Sequence, residues 1–388
     1  MRIEPPAWLH DPALAAVLAA LPQARLVGGA VRDALLERPL ADVDLATPDP
    51  PDAVTRALRE AGLKAVPTGL AHGTVTAVSG HRGFEVTTLR RDVATDGRRA
   101  LVAFTGDWRE DAARRDFSIN AMSMTADGAV YDYFDGVADL RAGRVRFVGD
   151  AAQRIAEDFL RILRFFRFHA RYGRGAPDSE ALTAIAAAVP GLARLSAERV
   201  WSELKRILAA PDPREAVALM QRLGVLDAVL PEGTNTERLA RVVARGAPAD
   251  PILRLAALFD GDVEALAERL RLSIAERERL LGLRVPTVPP EDATEVDWRR
   301  FLADTPKDVL TGRLWLAGYG PRSRQLVETV EVPVFPLHGR DLRAAGMSSG
   351  PALGAMLRAL RNWWLEGGCV ADAAECRAEL KRRLATPP

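Results

Sequence analysis

Two aspartates two residues apart, Asp42-Val43-Asp44-Leu45, open the chemistry of this 388-residue chain. On a strand, side chains alternate faces, so Asp42 and Asp44 project together while Val43 and Leu45 enter a core. Paired carboxylates suit a hard cation such as Mg²⁺, and such a site can stabilise an in-line phosphoryl displacement. A lone pair of this kind also fits an exposed edge strand. Here Asp42 stands ten residues after Arg32 of Gly28-Gly29-Ala30-Val31-Arg32-Asp33. Glycines ahead of a helix allow close backbone approach to a triphosphate, and Arg32 adds charge one turn in. Glu85, in the alternating run FEVTTL, is a candidate third carboxylate.

A second group lies at Arg114-Arg115-Asp116-Phe117-Ser118-Ile119-Asn120. Its spacing puts Asp116 and Asn120 on one helical face, and Arg115 offers a fixed fork of donors to a phosphate or ribose. A capped surface helix remains the alternative. The third group is Glu157-Asp158-Phe159-Leu160-Arg161, continuing through Arg164 and Arg167. It reads as a helix with an acidic first turn, on which Asp158, Arg161, Arg164 and Arg167 form one winding polar stripe. A carboxylate only accepts hydrogen bonds and a guanidinium only donates them. Cytosine and adenine each offer an amino donor beside a ring-nitrogen acceptor, so Asp158 with Arg161 could pair with either. Uracil and guanine present the reverse order, and each buried group left unpaired costs about 1–3 kcal/mol. A solvated face with ion pairs is the competing reading.

The elements that must position these groups change character along the chain. Up to about residue 148, short β-like runs at 24–27, 42–46, 73–79, 84–89 and 145–147 mix with helical stretches; beyond it the pattern is helical almost throughout. Glycine and proline breaks at 173–177, 211–213, 246–248 and 285–290 mark helix ends. The length calls for more than one core. Net charge is +1, which by itself argues against a strongly electrostatic nucleic-acid binder, yet residues 151–210 hold ten basic against six acidic side chains. Hydrophobic residues at 48% and charged residues at 27% fit a globular protein. No run of about 18 apolar residues could span a bilayer, and no export signal opens the chain, so a cytoplasmic location is expected. Two cysteines, Cys369 and Cys376, are too few for a disulfide framework and read as ordinary buried or half-buried thiols.

Together GGAVRD, DVDLAT, FEVTTLR, RRDFSINAM, DGVADL, EDFLRILRFFRFHARYG and SAERVWSELKRIL resemble, in order and spacing, the bacterial tRNA nucleotidyltransferases, also called CCA-adding enzymes, and the related poly(A) polymerases. The resemblance implies an α+β head of β-polymerase-like nucleotidyltransferase type (1–148), then an all-α neck (149–210), body (211–290) and tail (291–388). It implies Mg²⁺ held by Asp42 and Asp44, with Glu85 completing the catalytic set. Gly28, Gly29, Arg32, Arg115, Asp116 and Asn120 would contact the nucleotide; Asp158 and Arg161 would template the base, with Arg164 and Arg167 nearby. The partners implied are CTP, ATP and tRNA, the last docked partly by a tail stretch at 339–342 and 350–354. The family's arginine, aspartate and glycine rich loop, associated with switching from C to A, here reads RRDVATDGRRALVAF, without the usual proline and aromatic. CC-only, A-only and poly(A) synthesis stay open as alternatives, as does a non-catalytic RNA-binding protein.

Overall fold

The computed structural model describes residues 1–39, 42–95 and 100–385 and divides into two compact units, Met1–Pro231 and Glu232–Pro388. In the first unit the strands are β1 (Arg25–Val27), β2 (Asp44–Thr47), β3 (Lys64–Gly69), β4 (Thr74–Ser79), β5 (Arg82–Thr88), β6 (Arg90–Thr95), β7 (Ala100–Phe104), β8 (Met122–Met124) and β9 (Val130–Asp132). Its helices are α1 (Pro12–Ala20), α2 (Gly29–Leu35), α3 (Pro51–Glu60), α4 (Trp108–Ala113), α5 (Gly136–Ala142), α6 (Ala151–Glu157), α7 (Leu160–Tyr172), α8 (Ser179–Ala188), α9 (Ala197–Leu208), α10 (Arg214–Arg222) and α11 (Val225–Val229). Seven strands form one sheet in the order β3-β4-β5-β2-β1-β8-β9, and β6 and β7 form a separate hairpin.

The central register matters most for the site. Strand β2 runs parallel to β5 with Asp44 opposite Glu85 and antiparallel to β1 with Asp44 opposite Val27. Asp44 and Glu85 are exposed, while Leu45, Phe84 and Val86 are buried; exposure alternates along β5, and β2 is buried from Leu45 onward. The two carboxylates therefore stand side by side on the open face because their strands share one hydrophobic underside. Immediately after β1, Gly28 takes φ +63° to turn the chain into α2, a conformation that favours glycine.

Four aromatic rings hold α7 against the sheet domain. Phe117 lies 4.8 Å from Phe147 and 5.3 Å from Phe168, and Phe147 stacks on Phe165 at 6.1 Å. Phe117, Phe147 and Phe165 are fully buried. At roughly 1.5–3 kcal/mol for each buried apolar side chain, this cluster fixes where the arginines of α7 point.

Several expectations change. The run 145–147 forms no strand: Phe117 and Phe147 make an isolated bridge, because both side chains turn into the aromatic cluster. Asp42 precedes β2 instead of lying within it, since the ladder to β1 begins at Asp44. Asp116 and Asn120 do not share a helix; Asp116 follows α4, and Asn120 ends a 3₁₀ turn at Ser118–Asn120. The expected helix through Glu157 and Asp158 breaks there. Asp158 is extended (φ −158°, ψ 107°), and its Oδ1 accepts the Leu160 backbone N–H at 3.1 Å, so the side chain competes with helical hydrogen bonding. Breaks at 173–177, 211–213, 246–248 and 285–290 do separate helices.

The second unit is helical from Thr236–Ala244 to Ala373–Ala385. One of its cores gathers Trp298, Leu302, Leu310, Leu314 and Val327, another Leu342, Leu360, Trp364 and Leu380 with both cysteines, which are free and buried. Helices begin at Gly339 and Pro351, within the anticipated tail stretch. Among the described residues no helix is long and apolar enough to cross a membrane.

Candidate active site

A cavity of about 530 Å³ in the first unit is lined by Gly28, Gly29, Arg32, Asp44 and Glu85 from the sheet side, by Arg115, Asp116 and Asn120 from the connecting segment, and by Asp158 and the α7 residues Arg161, Arg164 and Arg167. Groups separated by up to 139 positions thus converge. Asp42 does not line it; with Asp44 it lines an adjoining cavity.

On the open face of the central strands, like charges crowd. The Asp44 carboxyl is pushed above the ordinary carboxylate range by burial first, then by Glu85 and Asp42, with Arg115 and Arg32 opposing. A carboxylate raised by carboxylate neighbours is one whose charge calls for a cation, and an all-oxygen donor set suits a hard divalent ion. Among the described residues no three such ligands are gathered closely enough to hold an ion by themselves. The fit is to a hard divalent ion that takes one or two carboxylates and fills its shell with water and substrate phosphates.

Around Asp116 the charges are compensated. Arg164 Nε donates to Asp116 Oδ2 at 2.6 Å, and Asn120 Nδ2 donates to Asp116 Oδ1 at 2.6 Å. Arg32 Nη1 donates in turn to Asn120 Oδ1. Burial works to raise Asp116, but Arg164 and Asn120 outweigh it and hold the carboxyl below its usual range. Arg164 is shifted upward: burial opposes the charge, and Asp116 more than restores it. Asp116 and Asn120, buried to 7% and 6% exposure, face protein groups in this structure.

Asp158 Oδ2 accepts Arg199 Nη2 at 2.6 Å. Arg161 Nη1 donates to Glu157 Oε2 at 2.5 Å and to the Arg154 carbonyl at 2.8 Å, and Nη2 to the Arg114 carbonyl at 3.5 Å. Arg115 donates to Asp111 Oδ2 through Nε (3.3 Å) and Nη2 (3.2 Å), and through Nη1 to the Asn120 carbonyl at 3.3 Å. Asp111 also accepts Arg114 Nε at 2.9 Å and the Arg90 backbone N–H at 3.2 Å. Burial would raise Asp111; Arg115 and Arg114 overcome it and leave it lowered.

Asp111, Arg114 and Arg199 line the cavity without having been singled out from sequence. Asp111 carried a faint signal, its i,i+3 and i,i+4 spacing to Arg114 and Arg115. Arg199 carried none, because 41 residues separate it from Asp158. The loop expected to switch between C and A spans β6, β7 and residues 96–99; those four lie outside the described residues.

A family model described as the poly A polymerase head domain matches residues 24–146, and one described as the probable RNA and SrmB-binding site of polymerase A matches 176–236. The mouse mitochondrial CCA tRNA nucleotidyltransferase 1 is 41% identical over 377 residues, covering 92% of this chain and 86% of the relative. The CCA-adding enzyme of Levilactobacillus brevis is 31% identical, covering 86% and 87%. Among solved structures, the Bacillus stearothermophilus CCA-adding enzyme in complex with CTP superposes with a TM-score of 0.79 at 26% identity, over 96% of this chain and 98% of that one. Similarity thus extends beyond bacterial proteins to animal mitochondrial ones.

Proposed function

Since this chain belongs to the CCA tRNA nucleotidyltransferases, we propose that it adds C, C and A in turn to tRNA 3′ ends from CTP and ATP, releasing pyrophosphate. One observation supports this above the others: the carboxylates of β2 and β5 share a single cavity with Asp158 and Arg161. Phosphoryl transfer and base choice then occur in one place, without a nucleic-acid template.

In the reaction a tRNA 3′ oxygen attacks the α-phosphorus, its proton passing to solvent. The bond from that phosphorus to the β-phosphate oxygen breaks, and its electron pair leaves with pyrophosphate. Asp42 and Asp44 would hold a divalent cation, Mg²⁺ in this proposal, with Glu85 beside them; when bound it supplies Lewis-acid stabilisation of the phosphoryl oxygens. Gly28, Gly29, Arg32 and Arg115 contact the triphosphate and ribose. Asp116 and Asn120 act by holding Arg164 and Arg32 in place, and Arg164 and Arg167 flank the nucleotide.

Base reading fits the hydrogen-bond inventory. Among the described residues, Arg161 spends both Nη1 protons and one Nη2 proton on protein acceptors; a guanidinium has five, so Nε and the second Nη2 proton are left to reach a ring nitrogen. Each Asp158 oxygen accepts one bond and has room for a second, from the exocyclic amine of cytosine or adenine. Uracil would present a carbonyl to the carboxylate and an N–H to the guanidinium.

We carry the division into head (1–148), neck (149–210), body (211–290) and tail (291–388) as part of this reading, with the tail contacting tRNA. A cytoplasmic location belongs to it too and is checked by cell fractionation; the mouse relative is mitochondrial. Each labelled triphosphate, with Mg²⁺, is offered to tRNA ending at the discriminator base, at C and at CC, with products read at one-nucleotide resolution. Clean stops at CCA are expected. Stops at CC, addition to the CC substrate alone, long A tails or no incorporation would each replace this reading with one of its alternatives.

A further inference from the structure

A further cavity, about 230 Å³, lies wholly within the second unit. It opens where the helices Thr236–Ala244, Pro251–Leu258, Ile274–Arg284 and Lys307–Ala317 meet the segment 285–290. Three arginines line it, Arg238, Arg284 and Arg313, and the rest of the wall is apolar, with Leu283, Val288 and Leu316 among it. Among the described residues no carboxylate lines it.

Helix ends account for part of this charge, since cations suit the carbonyls that close a helix. Arg238 donates through Nε to the Ala257 carbonyl at 2.6 Å and through Nη2 to the Phe259 carbonyl at 2.7 Å. Arg284 Nη1 donates to the same Phe259 carbonyl at 2.9 Å. Arg313 donates through Nε to the Gly282 carbonyl at 2.7 Å and through Nη1 to the Thr287 carbonyl at 3.3 Å. These bonds fix the three half-buried forks in place without using them up. A guanidinium carries five N–H groups; among the described residues Nη1 of Arg238 and Nη2 of Arg284 and of Arg313 donate to no protein acceptor.

Counter-charge falls short as well. Asp260, outside the lining, stands 2.7 Å from Arg238 and 4.0 Å from Arg284. Arg313 forms no ion pair among the described residues. Both Arg284 and Arg313 lie below the ordinary guanidinium range, Arg284 through burial first and Arg238 second with Asp260 opposing, Arg313 through burial. Cations placed so call for an anion.

We propose that this cavity binds a small phosphomonoester with an apolar body, its terminal oxygens on the forks of Arg238, Arg284 and Arg313 and its body against Leu283, Val288 and Leu316. Three forks match three terminal phosphate oxygens, which guanidiniums bind well. Bare phosphate, or a phosphodiester of an RNA backbone, would leave the apolar wall wet, and covering that wall is favourable. The volume falls below the roughly 300–1,000 Å³ of pockets for larger ligands, so the body is one ring or a short chain. None of this depends on the transferase reading above.

The test is calorimetric titration of the full chain with phenyl phosphate, inorganic phosphate and phenol, each variant being checked by thermal melting. Phenyl phosphate should saturate one site, and inorganic phosphate and phenol, each lacking half of the contacts, should bind at least about tenfold more weakly. Arg313→Gln should weaken phenyl phosphate about tenfold, the value of one charge-assisted hydrogen bond. Ala317 is exposed and lines the cavity, so Ala317→Leu fills space without removing a hydrogen bond; it should weaken phenyl phosphate and leave inorganic phosphate unchanged. Equal affinity for phenyl phosphate and inorganic phosphate overturns the proposal, as does the absence of saturation at about 10 mM. Binding that neither substitution moves belongs to another site and overturns it too. Displacement of the Ala317-sensitive binding by one equivalent of tRNA would give the forks to the RNA backbone instead.

Discussion

On the central strands Asp44 stands beside Glu85 and near Asp42 with its carboxyl pushed up; across the same cavity Asp116 sits between Arg164 and Asn120 with its carboxyl pushed down. Both are aspartates beside arginines, and only one is satisfied by the protein. Around Asp116 the chain supplies its own counter-charge and holds side chains in register, and around Asp44 it leaves the balance incomplete, where a cation is to arrive. Unsatisfied charge at a functional site lowers stability in exchange for binding, so neutralising the two aspartates should have opposite effects on the fold.

Breaking the satisfied side gives the largest expected loss of stability. Asp116→Ala leaves the half-buried Arg164 and the buried Asn120 without their shared acceptor, a loss of about 1–3 kcal/mol; a urea melt should show it as a lower midpoint. Asp116 also sets a pH dependence. Its folded-state carboxyl lies below the ordinary 3.8, so its contribution is complete above that value and is lost as pH falls through and below it. Asp44 runs the other way: raised when folded, it weakens the fold while ionised and relieves it as acid neutralises it. An acid titration of Asp116→Asn should therefore lack part of the stability loss below about pH 4. A wild-type-like melt in either variant would contradict the paired assignment.

A smaller effect is expected where compensated groups are asked to serve the substrate. Arg161→Ala should relax discrimination against UTP by about tenfold, the value of one unsatisfied buried group, and should alter triphosphate affinity less. An unchanged preference for C and A would refute the templating role.

How much of this was legible in the sequence follows from the range of the interactions. Alternation of period two in DVDL and FEVTTL put Asp44 and Glu85 on exposed strand faces, and the ladder placed them opposite one another. That Asp42 would fall outside β2 was not legible, because the end of a strand is decided by its partner. The polar stripe of α7 was read correctly from Arg161 onward. Asp158 was assigned to the helix because helical spacing cannot reveal a side chain that caps the next turn. Asp116 and Asn120 do meet, four residues apart, but through a turn packed by Phe117 instead of a helix. Contacts such as Arg199 with Asp158 and Arg32 with Asn120 span 41 and 88 residues, and nothing local encodes them.

The central claim is that Asp44 is held in an unfavourable charge environment for the sake of a cation. Asp44→Asn tests it most directly, with nucleotide incorporation and thermal melting measured on one preparation, with and without Mg²⁺. The account predicts incorporation reduced by about a thousandfold or more, a melting temperature without Mg²⁺ equal to or above that of the unsubstituted chain, and no stabilisation on adding Mg²⁺. Retained incorporation, or a melting temperature well below that of the unsubstituted chain in the absence of the ion, would contradict it.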